Sequence, residues 1–392
     1  MDSTPAAGEN IAVLRKARGM GQAKLARLSG ISVSYLSKIE TGDRPATPPV
    51  VAAIAKPLRV STARIYGQPF IGLTEQADLL NDLRDAVRRH TLPREDTPPP
   101  EVLAERLQLA ARLRSETRYL ELLRELPTLL GQATATALDA GGDSLAWGQL
   151  ADLYGCAYSV THRFVQPDLA DIIVARQQWA AQRTWNPAAE ATAAWNEAGT
   201  YQSAGAYGDG MAIVERAISQ YESARTDGPE SVVILGSLHL RGVVLASRNR
   251  DRNATEAHLR HAKGLAAQLD GDVLIHNLTF GEGNAALYEL AVHVEFDQPD
   301  KAAAMSTPLI DQPPAGLKPN RLGRLYIDVA RARLALKEAA GTEEALKAAF
   351  KVSPQMAEIH PMSREVLRVL FVLHQRARPD LVAMAERVGL TS

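Results

Sequence analysis

The chain has 392 residues, 46% hydrophobic and 23% charged, with a net charge of −1 and a single cysteine. That length exceeds one ordinary domain of roughly 100–200 residues, and the composition is that of a globular protein. The lone Cys156 excludes an intramolecular disulfide framework, and the expected compartment is the reducing cytoplasm. The opening "MDSTPAAGEN" has neither the basic start nor the apolar core of a signal peptide. No membrane span is expected, because the best apolar run, "SVVILGSLHL", is short and contains His239.

Charge is unevenly placed. Residues 1–70 hold ten Lys/Arg and four Asp/Glu, a net of +6, which leaves −7 for the rest. A basic small unit on an acidic large one is expected to meet a polyanion.

Residues 9–66 predict five short helices. "ENIAVLRKARG" places Ile11, Leu14 and Ala17 at helical spacing and stops at Gly19. "GQAKLARLSG" turns Leu25, Ala26 and Leu28 inward and ends at Gly30. "SVSYLSKIE" spaces Val33, Leu36 and Ile39 by three. "TPPVVAAIAKPL" starts on prolines, which a first helical turn tolerates, and "STARIYG" is a last turn with Ser61 as N-cap. Residues 74–90 predict one amphipathic helix, and "TLPREDTPPP" at 91–100 predicts a linker or sharp corner.

From 101 to 392 the pattern is helical, with no alternating strand signal. Ala-rich first helices recur about Trp147, Trp195, Leu238, Gly281 and Arg324, roughly 43–48 residues apart, each followed by a second helix. Repeated helix hairpins predict an α-solenoid. The expected fold is therefore all-α. The division reads 1–70 as the head, 71–100 as a connecting helix and Pro-rich linker, and 101–392 as the repeat array.

The third predicted helix, in "ISVSYLSKIETGDR", carries small polar groups on its outer face where a surface helix would use Glu, Lys, Arg and Ala. Together with Gln22, Ala26, Gly30, Leu36, Ile39, Glu40 and "TGDRPATP" at fixed spacing, it makes residues 11–66 resemble the lambda-repressor/Cro-type, or XRE, helix-turn-helix family. The resemblance implies that the third helix enters the DNA major groove. It implies base reading by Ser32, Val33, Ser34 and Lys38, with Lys38 on guanine and Val33 on a thymine methyl. It assigns Gln22 to a phosphate at a helix N-terminus, and Tyr35, Thr41 and Arg44 to the DNA backbone. Ser32 equally reads as an N-cap, and Glu40 as an internal ion pair with Arg15.

The array is similar to a degenerate tetratricopeptide-repeat (TPR) array. Trp147, Leu150, Ala151 and Tyr154 match the first half of that motif, and Ala217, Tyr221, Ala224 and Pro229 the second. A helix-turn-helix head on a TPR-like array resembles the peptide-responsive (RRNPP-type) regulators, quorum-sensing proteins, and actinobacterial XRE regulators. That resemblance implies an effector, a peptide or small molecule, in the array groove. Asn196, Asn277, Asn284 and Asn320, with Tyr201 and Arg241, are the candidate ligand-binding residues, because an amide both donates and accepts. An acidic array suits a basic or neutral effector.

No GxxxxGK[ST], GxSxG, HExxH or CxxC pattern occurs, so no catalytic residue, metal or cofactor is expected and the chain does not read as an enzyme. His258 and His261 form a one-turn pair without recruited carboxylates. "GEGNAA" at 281–286 reads as lying inside a helix, without the preceding strand a phosphate loop needs. The expected function is a sequence-specific DNA-binding transcription regulator, a repressor rather than an activator. It would act as a homodimer on palindromic double-stranded DNA, with no membrane partner. The rival reading is a protein-interaction scaffold whose head only localises it.

Overall fold

The computed structural model describes residues 6–67, 74–139, 143–225, 227–374 and 379–390. The head comprises α1 (Ala7–Ala17), α2 (Gln22–Leu28), α3 (Val33–Glu40), α4 (Pro48–Leu58) and α5 (Thr62–Tyr66). Its core is Ile11, Leu25, Leu36, Ile39, Val51, Ile54, Leu58 and Ile65, all fully buried. Ser32 and Ser61 cap α3 and α5, accepting the Tyr35 and Arg64 backbone N–H at 3.1 and 3.2 Å. Helices α1 and α3 touch backbone to backbone. A Cβ on Gly8 would lie 1.9 Å from the Ile39 carbonyl oxygen, so the position requires glycine.

The array begins with α6 (Thr74–Arg88), α7 (Pro100–Ser115) and α8 (Tyr119–Asp139). Five hairpins follow: α9 (Ser144–Arg163) with α10 (Pro167–Ala181), α11 (Pro187–Ala204) with α12 (Tyr207–Ala224), α13 (Pro229–Arg248) with α14 (Arg252–Ala266), α15 (Glu282–Glu295) with α16 (Pro299–Asp311), and α17 (Pro319–Ala335) with α18 (Ala339–Val352). Then come α19 (Pro354–Ile359), α20 (Pro361–His374) and α21 (Pro379–Arg387). The protein is all-α: a helix-turn-helix head on a solenoid of TPR-like hairpins, as the repeats predict. Prolines at the first turns of α10, α11, α13, α16 and α17 set where those helices start.

One turn geometry recurs. Thr117, Val165, Arg250, Asp297 and Lys337 all have φ between 53° and 65°. Each is followed by a backbone N–H that reaches back to the carbonyl five residues earlier, as in Gln166 to Thr161, Asp251 to Ala246 and Glu338 to Arg333. Gly205, at φ 77°, serves the α11–α12 turn. These αL turns fold each second helix back on its first.

Three features differ from the sequence expectation. The helix expected between the units packs into the array: Leu80, Leu83 and Val87 are buried in the core cluster that contains α8 and α9. A β-hairpin, β1 (Val273–Ile275) and β2 (Leu278–Phe280), precedes α15. It pairs antiparallel as Val273↔Phe280, Leu274↔Thr279 and Ile275↔Leu278. Its turn residues, His276 and Asn277, are left-handed at φ 46° and 62°, as a tight hairpin demands. Three-residue strands are too short to show alternation. The Phe280 ring instead fills the space above Gly236, where a Cβ would come within 2.0 Å of it. Third, α13 is long and apolar enough to cross a membrane by composition, with a mean hydropathy of 1.3, but 89% of that stretch is buried among its neighbours.

Candidate nucleic-acid interface and the head–array cleft

Helix α3 presents Ser32, Val33, Ser34 and Lys38 to solvent, followed by exposed Thr41 and Arg44. Val33 is 44% exposed, an apolar side chain with nothing over it. Leu36 and Ile39, with Tyr35 beside them, anchor the helix to the core from its other side. Thr41 donates its hydroxyl to Asp43 at 2.6 Å, and the Arg44 guanidinium lies 5.9 Å from the Tyr35 ring centre. Tyr35 and Gln22 are the members of the predicted set that are half-buried. Tyr35 packs on the head core. Burial raises its phenol pKa, and the charges of Asp297 and Arg250, on two array turns, act on it.

Behind this face lies a buried ion pair. Arg15 Nε and Nη2 donate to Glu40 Oε1 and Oε2, both at 2.7 Å, with the side chains 10% and 6% exposed. Gln22 Nε2 donates to the same Glu40 Oε2 at 2.8 Å. The pairing of Glu40 with Arg15 is as the sequence suggests. The Gln22 amide, expected on phosphate, has one of its protons committed to Glu40.

The six candidate ligand residues do not line one cavity together among those described. Asn196 is buried and donates to Gln177 Oε1 at 2.8 Å. Arg241 stacks 3.7 Å from the Trp195 ring centre and donates to Gln202 at 2.8 Å. Asn277 donates to the Asp152 carbonyl at 3.0 Å and Asn284 to the Thr279 carbonyl at 2.6 Å, so both amides hold the β-hairpin in place. Asn277 also borders a small cavity of about 340 Å³ beside Cys156 and His276. The Asn320 side-chain oxygen is buried with no hydrogen-bond partner. Tyr201 alone of the six borders a cleft between head and array.

That cleft, of about 600 Å³, lies between head and array. The head contributes Pro48, Ser61, Thr62 and Tyr66, and the array contributes residues of α9, α10, α11, α13, α17 and α20. A seam of hydrogen bonds borders it. Thr62 Oγ1 donates to the Ser203 carbonyl at 2.8 Å, and the Tyr207 hydroxyl donates to the Pro48 carbonyl at 3.3 Å. The Tyr66 hydroxyl donates to the Ala46 carbonyl at 2.9 Å. Ala52 of α4 packs with Ala198, Tyr207 and Val214, and approaches Gly205 so closely that a Cβ there would lie 2.6 Å from its methyl.

The array side of the cleft carries Arg163, Arg248 and Arg324. Arg324 is held by Asp328 at 2.7 Å. Arg163 and Arg248 form no ion pair among the described residues, and Arg248 Nε is buried without a hydrogen-bond partner. His162 Nδ1 sits 3.1 Å from the Ser203 hydroxyl. Burial, and then the charges of Arg163, Arg241 and Arg248, push its pKa down to about 3, so the ring is neutral. The cleft's carboxylates, Asp171 and Glu197, lie on α10 and α11; Gln178 donates to Glu197 at 2.9 Å and Thr200 hydrogen-bonds Asp171. Sequence reading missed Arg163 and Arg248. The signal was positional: each is the last residue of a first helix in its hairpin.

"GEGNAA" does follow a strand, β2, and opens a helix, α15, contrary to the expectation. The anion position at that helix start is nonetheless filled from within the chain. The Asp272 carboxylate accepts the Asn284 backbone N–H at 2.8 Å and that of Gly283. His258 meets His239, Nδ1 to Nδ1, at 2.9 Å, and His261 stacks on His239 at 4.9 Å.

The helix-turn-helix family model HTH_3 matches residues 11–65. No curated protein matches the chain in sequence. Among solved structures, the chain is similar to BtubC (BKLC) from P. vanneervenii, at 15% identity over 66% of this chain and 94% of that one, with a TM-score of 0.39. It is similar to Bacillus thuringiensis PlcR in complex with the peptide PapR7 and DNA, at 13% identity over 91% and 98%, with a TM-score of 0.34. It is similar also to PrgX of the PrgX/iCF10 complex, at 9% identity over 95% and 98%, with a TM-score of 0.26. The fixed motif spacing, the five-helix core and the family match agree on the same residues: the chain carries an XRE-type helix-turn-helix domain at its N-terminus.

Proposed function

We propose that the protein is a sequence-specific DNA-binding transcription regulator, a repressor, whose array dimerises and senses a peptide or small-molecule effector. The observation that carries this reading is the open face of α3, with Ser34 and Lys38 free to meet base edges on a head of net charge +6. Phosphate contacts by that head supply salt-dependent affinity, and α3 supplies base choice. Two heads read half-sites about one DNA turn apart. The sensing part is supported by the cleft at the head–array seam: an occupant there touches both units and so has differential contact with docked and undocked heads. A concave, mostly apolar cleft with a few polar groups favours this reading over the scaffold one, which asks for a broad open face.

The test is selection of bound fragments from genomic DNA by the purified full chain at about 150 mM salt. A recovered palindrome with half-sites about one turn apart supports a dimeric regulator. Absence of any enriched sequence, with or without cell extract, overturns it.

A further inference from the structure

We propose that the head–array cleft binds a small organic anion, bearing a carboxylate or a phosphate, whose charged group seats on Arg163 and Arg248 and whose occupancy holds the head against the array. The proposal deepens the sensing part of the function above and reverses the expectation, drawn from net charge alone, of a basic or neutral effector.

The local charge differs from the global one. Although residues outside the head sum to −7, the array side of the cleft carries Arg163, Arg248 and Arg324 against two carboxylates, Asp171 and Glu197. Glu295 and Asp328, two buried acids of the array, are taken by Arg331 at 3.0 and 2.9 Å, with Asp328 also holding Arg324. Among the described residues Arg163 and Arg248 form no ion pair, although Arg248 lies near enough to Glu295 to hold its pKa down. A guanidinium withdrawn from water keeps its charge, so its neighbourhood favours an anion that replaces lost hydration. The planar donor fork suits both carboxylate and phosphate. His162, lying among Arg163, Arg241 and Arg248, stays neutral and offers a ring for the ligand body to rest on. The stacked pair of Tyr158 and His162, with ring centres 5.5 Å apart, extends that surface. A volume of about 600 Å³ suits a small organic molecule.

Coupling follows from position. An anion on Arg163 and Arg248 occupies a cleft whose opposite side is Thr62 and Tyr66 of the head. A ligand that touches both binds the docked arrangement better than any arrangement with the head released, and mass action favours docking.

The probes are N-acetylphenylalanine, phenyl phosphate and the neutral N-acetylphenylalanine amide, titrated calorimetrically into the full chain at millimolar concentrations. Hydrogen exchange at residues 61–66 is read in parallel. At least one anion is expected to bind at least tenfold more tightly than the amide and to slow exchange at residues 61–66. Carboxylate-only, phosphate-only or equal binding each support the proposal and name the acid type. Arg248→Gln and, separately, Arg163→Gln are each expected to weaken the anion about tenfold with circular dichroism unchanged. Asp171→Asn, which removes a carboxylate from the cleft, is expected to tighten it. No binding of either anion, equal binding of the amide, or unchanged affinity in folded Arg variants overturns the proposal. Anion binding by a chain that binds no DNA removes the regulator reading and leaves this one; DNA binding without anion binding does the reverse.

Discussion

The Glu365 carboxylate on α20 accepts the backbone N–H of Ala46 at 3.2 Å, across 319 residues of sequence and in a buried setting. It also pairs with Arg368 and accepts the N–H of Ala7, at the start of α1. One array side chain thus satisfies the head at two backbone positions. Burial raises the Glu365 pKa, with Arg368 and those N–H groups opposing. Glu365→Ala leaves the Ala46 N–H unsatisfied at a cost of about 1–3 kcal/mol. Faster hydrogen exchange at residues 46–66 than in the parent chain is the expected readout. Glu365→Gln, which keeps an acceptor, should show a smaller change.

Lys38 is exposed on α3, with no ion-pair partner among the described residues. Lys38→Ala is expected to cost about 1–3 kcal/mol of affinity for the selected site and to relax base choice at one position. Competition binding with single-base variants of the site measures both. Equal weakening on every sequence assigns Lys38 to phosphate instead.

His276 sits between two carboxylates, with Nε2 2.8 Å from Glu230 and Nδ1 3.1 Å from Asp152. The Asp152 contact is the main reason its pKa rises to about 9, against burial and with Glu230 adding to it. The folded value lies above the unfolded one of about 6.5. The stabilisation is therefore complete below about pH 6.5 and is lost as pH rises through about 9. Urea unfolding midpoints across that window should fall in the parent chain and fall less in His276→Gln.

Arg331 bridges Glu295 and Asp328, and all three side chains are no more than 6% exposed. Arg331→Met leaves two carboxylates buried without it and is expected to cost about 3–5 kcal/mol in urea unfolding. A change under about 1 kcal/mol would mean that the site relaxes and admits water.

Much was legible along the chain. Short-range signals specify the head: Ile11, Leu25, Leu36 and Ile39 at helical spacing, Ser32 and Ser61 as caps, and glycines at the turns. Each acts within a few residues, and sequence displays such terms directly. The hairpin repeat was visible for the same reason, since first helices must be apolar on more than one face to sit inside a solenoid. The recurrent αL turns were not, because Thr117, Val165, Arg250 and Lys337 are residues that avoid αL on their own and only Asp297 is of a type that tolerates it. Packing of each second helix on its first holds them there.

The sequence by itself determined the all-α class, the helix-turn-helix head and the stacked hairpins, because periodicity and capping are local. Only the tertiary structure decided what faces the cleft. Net charge sums over the whole chain, whereas a ligand responds to the few charges within a Debye length of about 8 Å. Folding neutralises Glu295, Asp328 and Glu40 against chosen arginines and, among the described residues, leaves Arg163 and Arg248 without an ion pair beside the head. It likewise turns Asn277 and Asn284 from candidate binders into the pins of a hairpin, since a backbone carbonyl buried beside an amide claims its proton first.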